Sequence, residues 1–202
     1  YEMGAHLSTP SHKVQADLAL FYIDCRDQQL TVFPEGQVTG RLMTNAGRTR
    51  SFGGEASLLA TLWRNLDLQV AYGYTHATFV KFDTGKADYA GNFIPYAPQH
   101  TLYAGASYTL RTDWNWLEYV IFRVAANGAG RIYWNEANTF SQPFYALLEA
   151  SIRFEHRHWA VDVWGRNLTG THYDTFYFMS IGNSFLQRGR PRTFGVSLSI
   201  TL

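Results

Sequence analysis

The last ten residues read TFGVSLSITL, Thr193 to Leu202. Successive side chains of an extended strand point to opposite faces. Phe194, Val196, Leu198, Ile200 and Leu202 therefore share one face, and Thr193, Gly195, Ser197, Ser199 and Thr201 share the other. A strict period of two, greasy on one side and small and polar on the other, is the mark of a strand between two unlike environments.

The pattern recurs upstream. Leu66, Leu68, Val70, Tyr72 and Tyr74 alternate with Asp67, Gln69, Ala71, Gly73 and Thr75. Leu102, Ala104, Ala106, Tyr108 and Leu110 alternate with Thr101, Tyr103, Gly105, Ser107 and Thr109. Phe144 to Phe154 alternates with a face carrying Glu149, Ser151, Arg153 and Glu155, interrupted by Leu147. Val14 to Tyr22 continues the theme, blurred by Phe21 and Ile23. Further strands are expected at about Glu2–Ser8, Arg48–Trp63, Leu117–Tyr133 and Trp159–Leu168, nine strands in all.

The connections alternate as strictly as the faces. Short ones are expected at Thr9–Ser11, Arg64–Asn65, Thr112–Trp116 and Glu155–His158. Long ones are expected at Pro34–Gly40, Lys81–Pro98, Asn135–Gln142 and Thr169–Gly189. A membrane barrel has tight periplasmic turns and long outer loops, whereas a soluble sandwich has no reason to keep long loops on one side. Most runs reach ten residues, the length needed to cross a bilayer at a tilt, against about five or six for an ordinary strand. The fold expected is all-β, an antiparallel up-and-down transmembrane β-barrel. With Leu202 on the periplasmic side, nine strands put Tyr1 on the outer side. Single-chain bacterial barrels have an even strand number, so the expectation is that this is part of a longer chain.

Composition agrees. Among 202 residues, 17 Lys and Arg against 16 Asp and Glu leave no basic excess for nucleic acid, and none is expected as a partner. Aromatic residues make up 16%. No run reaches the ~18 apolar residues of a membrane helix, a test that does not see barrels. Cys25 stands alone, so no disulfide framework or thiolate metal site can be built. Tyr1 to Leu20 lacks the apolar core of a signal peptide, which again points to a start inside a longer precursor.

Asn45 to Leu58 reads NAGRTRSFGGEASL. It resembles the NAG-x-x-x-S-x-G-x-E strand of TonB-dependent receptors in the siderophore-transport branch, through Asn45, Gly47, Ser51, Gly53 and Glu55. The resemblance runs on through PYAPQHTLYAGASY (Pro95–Tyr108), QPFYALLEASIRFE (Gln142–Glu155), WAVDVWGRNLTGTHY (Trp159–Tyr173) and GRPRTFGVSLSITL (Gly189–Leu202). It implies that residues 1–202 are the C-terminal part, about nine strands, of a 22-stranded outer-membrane barrel. The plug domain, the TonB box and the early strands would then be absent from this chain. It also implies uptake of a ferric siderophore or similar metal chelate, driven by the TonB complex acting through that plug. Other implied partners are outer-membrane lipid and the barrel-assembly machinery, the latter through the C-terminal strand. The family usually ends in an aromatic residue, where this chain has Leu202.

Candidate ligand contacts fall in the expected outer loops. Arg131, Tyr133 and Trp134 form one aromatic-basic group; Tyr173, Phe176, Tyr177, Phe178 and Arg188 form another. Arginine binds anions through paired charge-assisted bonds, and aromatic rings supply flat contact area, a chemistry suited to anionic chelates. The competing reading is that these rings pack among themselves. Trp63, Trp114, Trp116 and Trp159 lie by short turns, as an interfacial girdle would. His156-Arg157-His158 makes a poor metal site without carboxylate partners, and neither metal nor cofactor is expected. No catalytic constellation is expected: Ser107 and His100 fall on opposite faces of one strand. The alternatives are a small complete outer-membrane barrel with a structural, adhesive or lipid-enzyme role, and a soluble lipocalin-like binder.

Overall fold

The computed structural model describes residues 1–32, 42–63, 65–85, 87–180 and 183–201. The expected loop at Pro34–Gly40, the turn residue Arg64 and the terminal Leu202 lie outside these. The described residues are all-β, without a helix. In chain order the strands are β1 Glu2–Ser8, β2 Val14–Val32, β3 Leu42–Leu62, β4 Leu66–Lys81, β5 His100–Trp114 and β6 Leu117–Gly130. They continue with β7 Ile132–Tyr133, β8 Ser141–Gln142, β9 Tyr145–His156, β10 Trp159–Arg166, β11 Asp174–Ser180, β12 Asn183–Arg188 and β13 Thr193–Ile200.

Nine of these form one antiparallel meander in the order β1-β2-β3-β4-β5-β6-β9-β10-β13. Each strand pairs with its predecessor across alternately short and long connections, as the sequence predicts. The two small pairs, β7-β8 and β11-β12, lie within long connections.

Register carries the alternation across the whole sheet. One row of paired positions runs Ala60, Leu68, Ala106, Val124, Ala150, Gly165, Phe194. The adjacent row runs Thr61, Asp67, Ser107, Arg123, Ser151, Trp164, Gly195. A slip of one residue in any strand would exchange its two faces, so seven strands agree on which side is apolar. Among the described residues nothing covers that side. Val70, Phe122 and Val163 sit mid-sheet yet are 43%, 41% and 45% exposed. The described residues place no second sheet there, as a sandwich would.

The apolar band has the height of a bilayer. Along β4 it runs from Leu66 to Tyr74, about 27 Å of strand, or roughly 21 Å along the normal at the usual tilt of about 40°. At its short-turn edge Trp63, Trp114 and Trp116 are 81%, 57% and 61% exposed, and the last two stack with ring centroids 5.4 Å apart. At its other edge Phe52 stacks on His76 at 4.8 Å, His76 meets Phe93 at 5.0 Å, and Phe93 stacks on Tyr133 at 5.3 Å. This aromatic row crosses β3 and β4 and continues through two of the long connections, where amphipathic rings are expected at a membrane interface.

Two glycines mark constraints. At Gly53 a side chain would collide with the carbonyl of Tyr74 and lie 2.7 Å from the Phe21 ring, which accounts for glycine at this position. At Gly130 φ is +129° and a Cβ would lie 2.6 Å from the Cα of Phe144. Here the chain leaves the sheet, so the single strand expected over Leu117–Tyr133 ends at Gly130, and Ile132–Tyr133 pairs instead with Ser141–Gln142. The expected loop Thr169–Gly189 likewise contains the β11-β12 hairpin. Strands β2 and β3 are also longer than the hydrophobic pattern indicates, because pairing continues past the apolar band into charged sequence.

Charge placed on the two faces should separate them. Val70→Arg is expected to destabilise the membrane-inserted protein by about 2–4 kcal/mol, whereas Gln69→Arg, one residue away on the opposite face, should change it by less than about 1 kcal/mol. Chemical denaturation in lipid vesicles measures both. Equal costs would show that the faces are not distinguished by lipid.

Candidate functional site

The polar face forms a shallow concavity of about 490 Å³, lined by Asp67, Gln69, Arg123, Glu149, Asp162 and Arg166 among others. A second of about 390 Å³ is lined by residues including Asp17, Glu55 and Ser57. Arg153 and Glu155 form an ion pair at 2.7 Å. Trp164 donates from Nε1 to the Ser197 hydroxyl at 3.1 Å, and the Arg166 guanidinium lies 4.9 Å from its ring centroid. One carboxylate oxygen of Asp162 is shielded and makes no hydrogen bond among the described residues. Such mixed charge, spread over a strand face opposite an apolar one, suits a hydrated bore.

On the long-connection side three connections are knit into one body. Asn138 accepts from the Phe93 amide at 2.7 Å and donates to its carbonyl at 2.9 Å. Asn92 donates to the Glu136 carbonyl at 2.8 Å. The buried Gln142 accepts from the Asp174 amide at 2.9 Å, fastening the third connection to β8. At the exit of β10, Asn167, 4% exposed, donates to the carbonyls of Thr171 and Arg190 and accepts from the Thr171 amide. Its place in an Asn-Leu-Thr triplet thus reflects a buried turn.

The two residue groups expected from sequence meet here. Ile132, Trp134 and Tyr177 form a buried cluster, with Trp134 7% and Tyr177 6% exposed. Phe140 stacks on Tyr177 at 4.6 Å. Tyr96 joins the groups: its ring lies 5.4 Å from Trp134 and 5.6 Å from Phe176, and its hydroxyl donates to the Tyr177 carbonyl at 2.8 Å. Phe178 stacks on Phe185 at 4.9 Å and Tyr173 on Tyr145 at 4.5 Å. Arg131 and Arg188 are exposed. Tyr133, stacked on Phe93, belongs to the aromatic row on the wall's apolar face rather than to the buried cluster.

Sequence reasoning did not single out Tyr96, Phe93, Phe140 or Tyr145. Tyr96 follows Pro95 in a segment without alternation, so no periodic signal marks it. On the short-turn side, His156 and His158 rings lie 5.9 Å apart and His156 stacks against Trp159 at 6.1 Å. Among the described residues no three His, Cys, Asp or Glu side chains converge in a way that could hold a metal ion.

Comparison with known proteins gives this geometry a family. Residues 1–168 match the family model described as TonB dependent receptor-like, beta-barrel. The pesticin receptor of Yersinia pestis is 26% identical over 206 residues, covering 99% of this chain and 28% of that protein. The crystal structure of the ferric yersiniabactin uptake receptor FyuA from Yersinia pestis superposes with a TM-score of 0.82 at 22% identity, over 99% of this chain and 29% of that one. The siderophore receptor PiuA from Acinetobacter baumannii gives 0.72 at 16% identity, over 98% and 27%. The chain thus spans under a third of the length of these relatives. The family's members are outer-membrane receptors, not enzymes. This chain, a wall of nine antiparallel strands with one apolar and one polar face, belongs to the TonB-dependent receptor family.

Proposed function

We propose that this chain forms wall and outer loops of a receptor that takes up a ferric siderophore or similar iron chelate across the bacterial outer membrane. The observation that carries this reading is the union of three long connections into one aromatic body bearing two exposed arginines, Arg131 and Arg188, on the side away from the short turns. A flat, anionic chelate is recognised by guanidinium groups paired to its oxygens and by aromatic edges around them. The buried Trp134 and Tyr177 hold that rim in shape, and the half-buried Tyr173 and Phe178 border the ligand. The similar structure of a ferric yersiniabactin uptake receptor supports the same class of cargo.

Completion of the wall follows from the membrane itself. In hydrocarbon every backbone donor and acceptor must be paired, yet β1 and β13 are the two edges of this sheet. Joining them to each other would require parallel pairing in an odd-stranded barrel, against the even count of bacterial barrels. Neighbouring strands of a larger barrel would satisfy both edges. The polar concavities would then face a plug, through which the TonB complex delivers energy. The barrel-assembly machinery engages β13 before closure, and lipid covers the apolar face.

Two measurements test the loop assignment. In the protein as it stands in an outer membrane, Arg131→Ala with Arg188→Ala should lower uptake of a radiolabelled ferric chelate at least about tenfold while leaving heat-modifiable migration intact; unchanged uptake would remove both residues from the site. Tyr96→Ala deletes its hydrogen bond to Tyr177 and its ring contacts with Trp134 and Phe176, together about 2 kcal/mol. Proteolytic cleavage of the outer loops should rise about 30-fold with no loss of barrel fold. Unaltered cleavage would mean that Tyr96 does not join the connections.

A further inference from the structure

The apolar face of β2 and β3 changes character abruptly. Up to Tyr22 and Phe52 it is apolar; the next paired position on the same face is Asp24 with Arg50, followed by Arg26 with Arg48. At these two levels β2 and β3 carry three guanidinium groups and one carboxylate, and Lys81 of β4 pairs with Arg48. Arg48 takes Asp24 in a forked ion pair, with Nε 2.9 Å and Nη2 2.5 Å from the carboxylate oxygens. The charges of Arg26 and Arg50 reach the same carboxylate. Two guanidinium charges are left over. Arg50 extends over the Tyr22 ring, 5.9 Å from its centroid, and its Nε is shielded from solvent without a hydrogen-bond partner among the described residues.

Height identifies what faces this cluster. Arg50 and Arg48 lie two and four residues beyond Phe52, hence roughly 5 and 10 Å further along the membrane normal at a tilt of about 40°. The polar headgroup zone on each side of the hydrocarbon core is about 5–8 Å thick. Arg50 therefore sits at the level of lipid headgroups and Arg26 and Arg48 at its outer margin, within reach of their long side chains, on the face that carries the apolar stripe. A shielded guanidinium nitrogen with nothing to donate to, beside two uncompensated charges, calls for an anion with several acceptor oxygens.

We propose that Arg26, Arg48 and Arg50 form a binding site on the outer wall for the phosphate group of an outer-leaflet lipid. Arg50 and Arg26 supply the free donors, Tyr22 backs the guanidinium of Arg50, and Asp24 holds Arg48 in place at the cost of part of its charge. This site takes no part in chelate binding, and it stands if the cargo assigned above is wrong.

Native mass spectrometry of the detergent-extracted protein, titrated with lipid A carrying both phosphates, tests it. The protein should bind the phosphorylated lipid at one site, and Arg26→Gln with Arg50→Gln should weaken that binding at least about tenfold. Dephosphorylated lipid A should bind no more tightly than phosphatidylcholine. Asp24→Asn, which frees Arg48, should tighten binding and gives a readout in the opposite direction should the double variant fold poorly. Equal affinity of the double variant and the native protein would overturn the proposal. So would displacement of the lipid by stoichiometric inorganic phosphate, which would mark a site for free phosphate.

Discussion

Hydrocarbon offers no partner to a peptide N–H or C=O, and each one left unpaired costs several kcal/mol. That constraint governs this chain. It makes strands that span the bilayer pair along their whole length, and it makes each of them greasy on one side only. The sheet meets it strand by strand, from the seven pairs joining β1 to β2 to the eight joining β10 to β13. Once pairing is obligatory and one face must dissolve in lipid, register is fixed. The rows of apolar and polar positions then extend unbroken from β3 to β13.

The same constraint explains why the fold was legible in the sequence and the outer side much less so. Within the bilayer, a wrong residue on either face is costly, so the alternation in Leu66–Thr75 or Thr193–Thr201 is nearly pure and the nine strands can be counted. Beyond the lipid, water satisfies either face and the pattern lapses. Strands β2 and β3 nonetheless keep pairing through Asp24, Arg48 and Arg50, where hydrophobic periodicity has nothing to report. The β11-β12 hairpin is invisible for a related reason: Asp174 to Ser180 is consecutively aromatic around Tyr177, without a period of two, and so reads as loop.

Individual loop residues were legible as chemistry but not as positions. Arg131 and Arg188 stand out in the sequence for their charge, and the fold leaves both exposed. Trp134 and Tyr177 stand out for their rings, and the fold buries both against Ile132. Tyr133 is adjacent to Trp134 in sequence yet falls on the other face, stacked on Phe93 in the interfacial row. Neighbours in an extended chain diverge, so a cluster in sequence need not be a cluster in space. The connecting role of Tyr96 depends on contacts with residues 38 and 80 or more positions away, which no local pattern encodes.

The direction in which the apolar stripe points is the claim beneath all of this, and collision accessibility of nitroxide labels reads it directly. Labels placed singly from Leu66 to Tyr74 in the membrane-embedded protein should alternate. Positions 66, 68, 70, 72 and 74 should relax with dissolved oxygen, which partitions into lipid, and the odd positions between them should not. Alternation in the opposite phase, or oxygen accessibility with no period of two, would contradict the account.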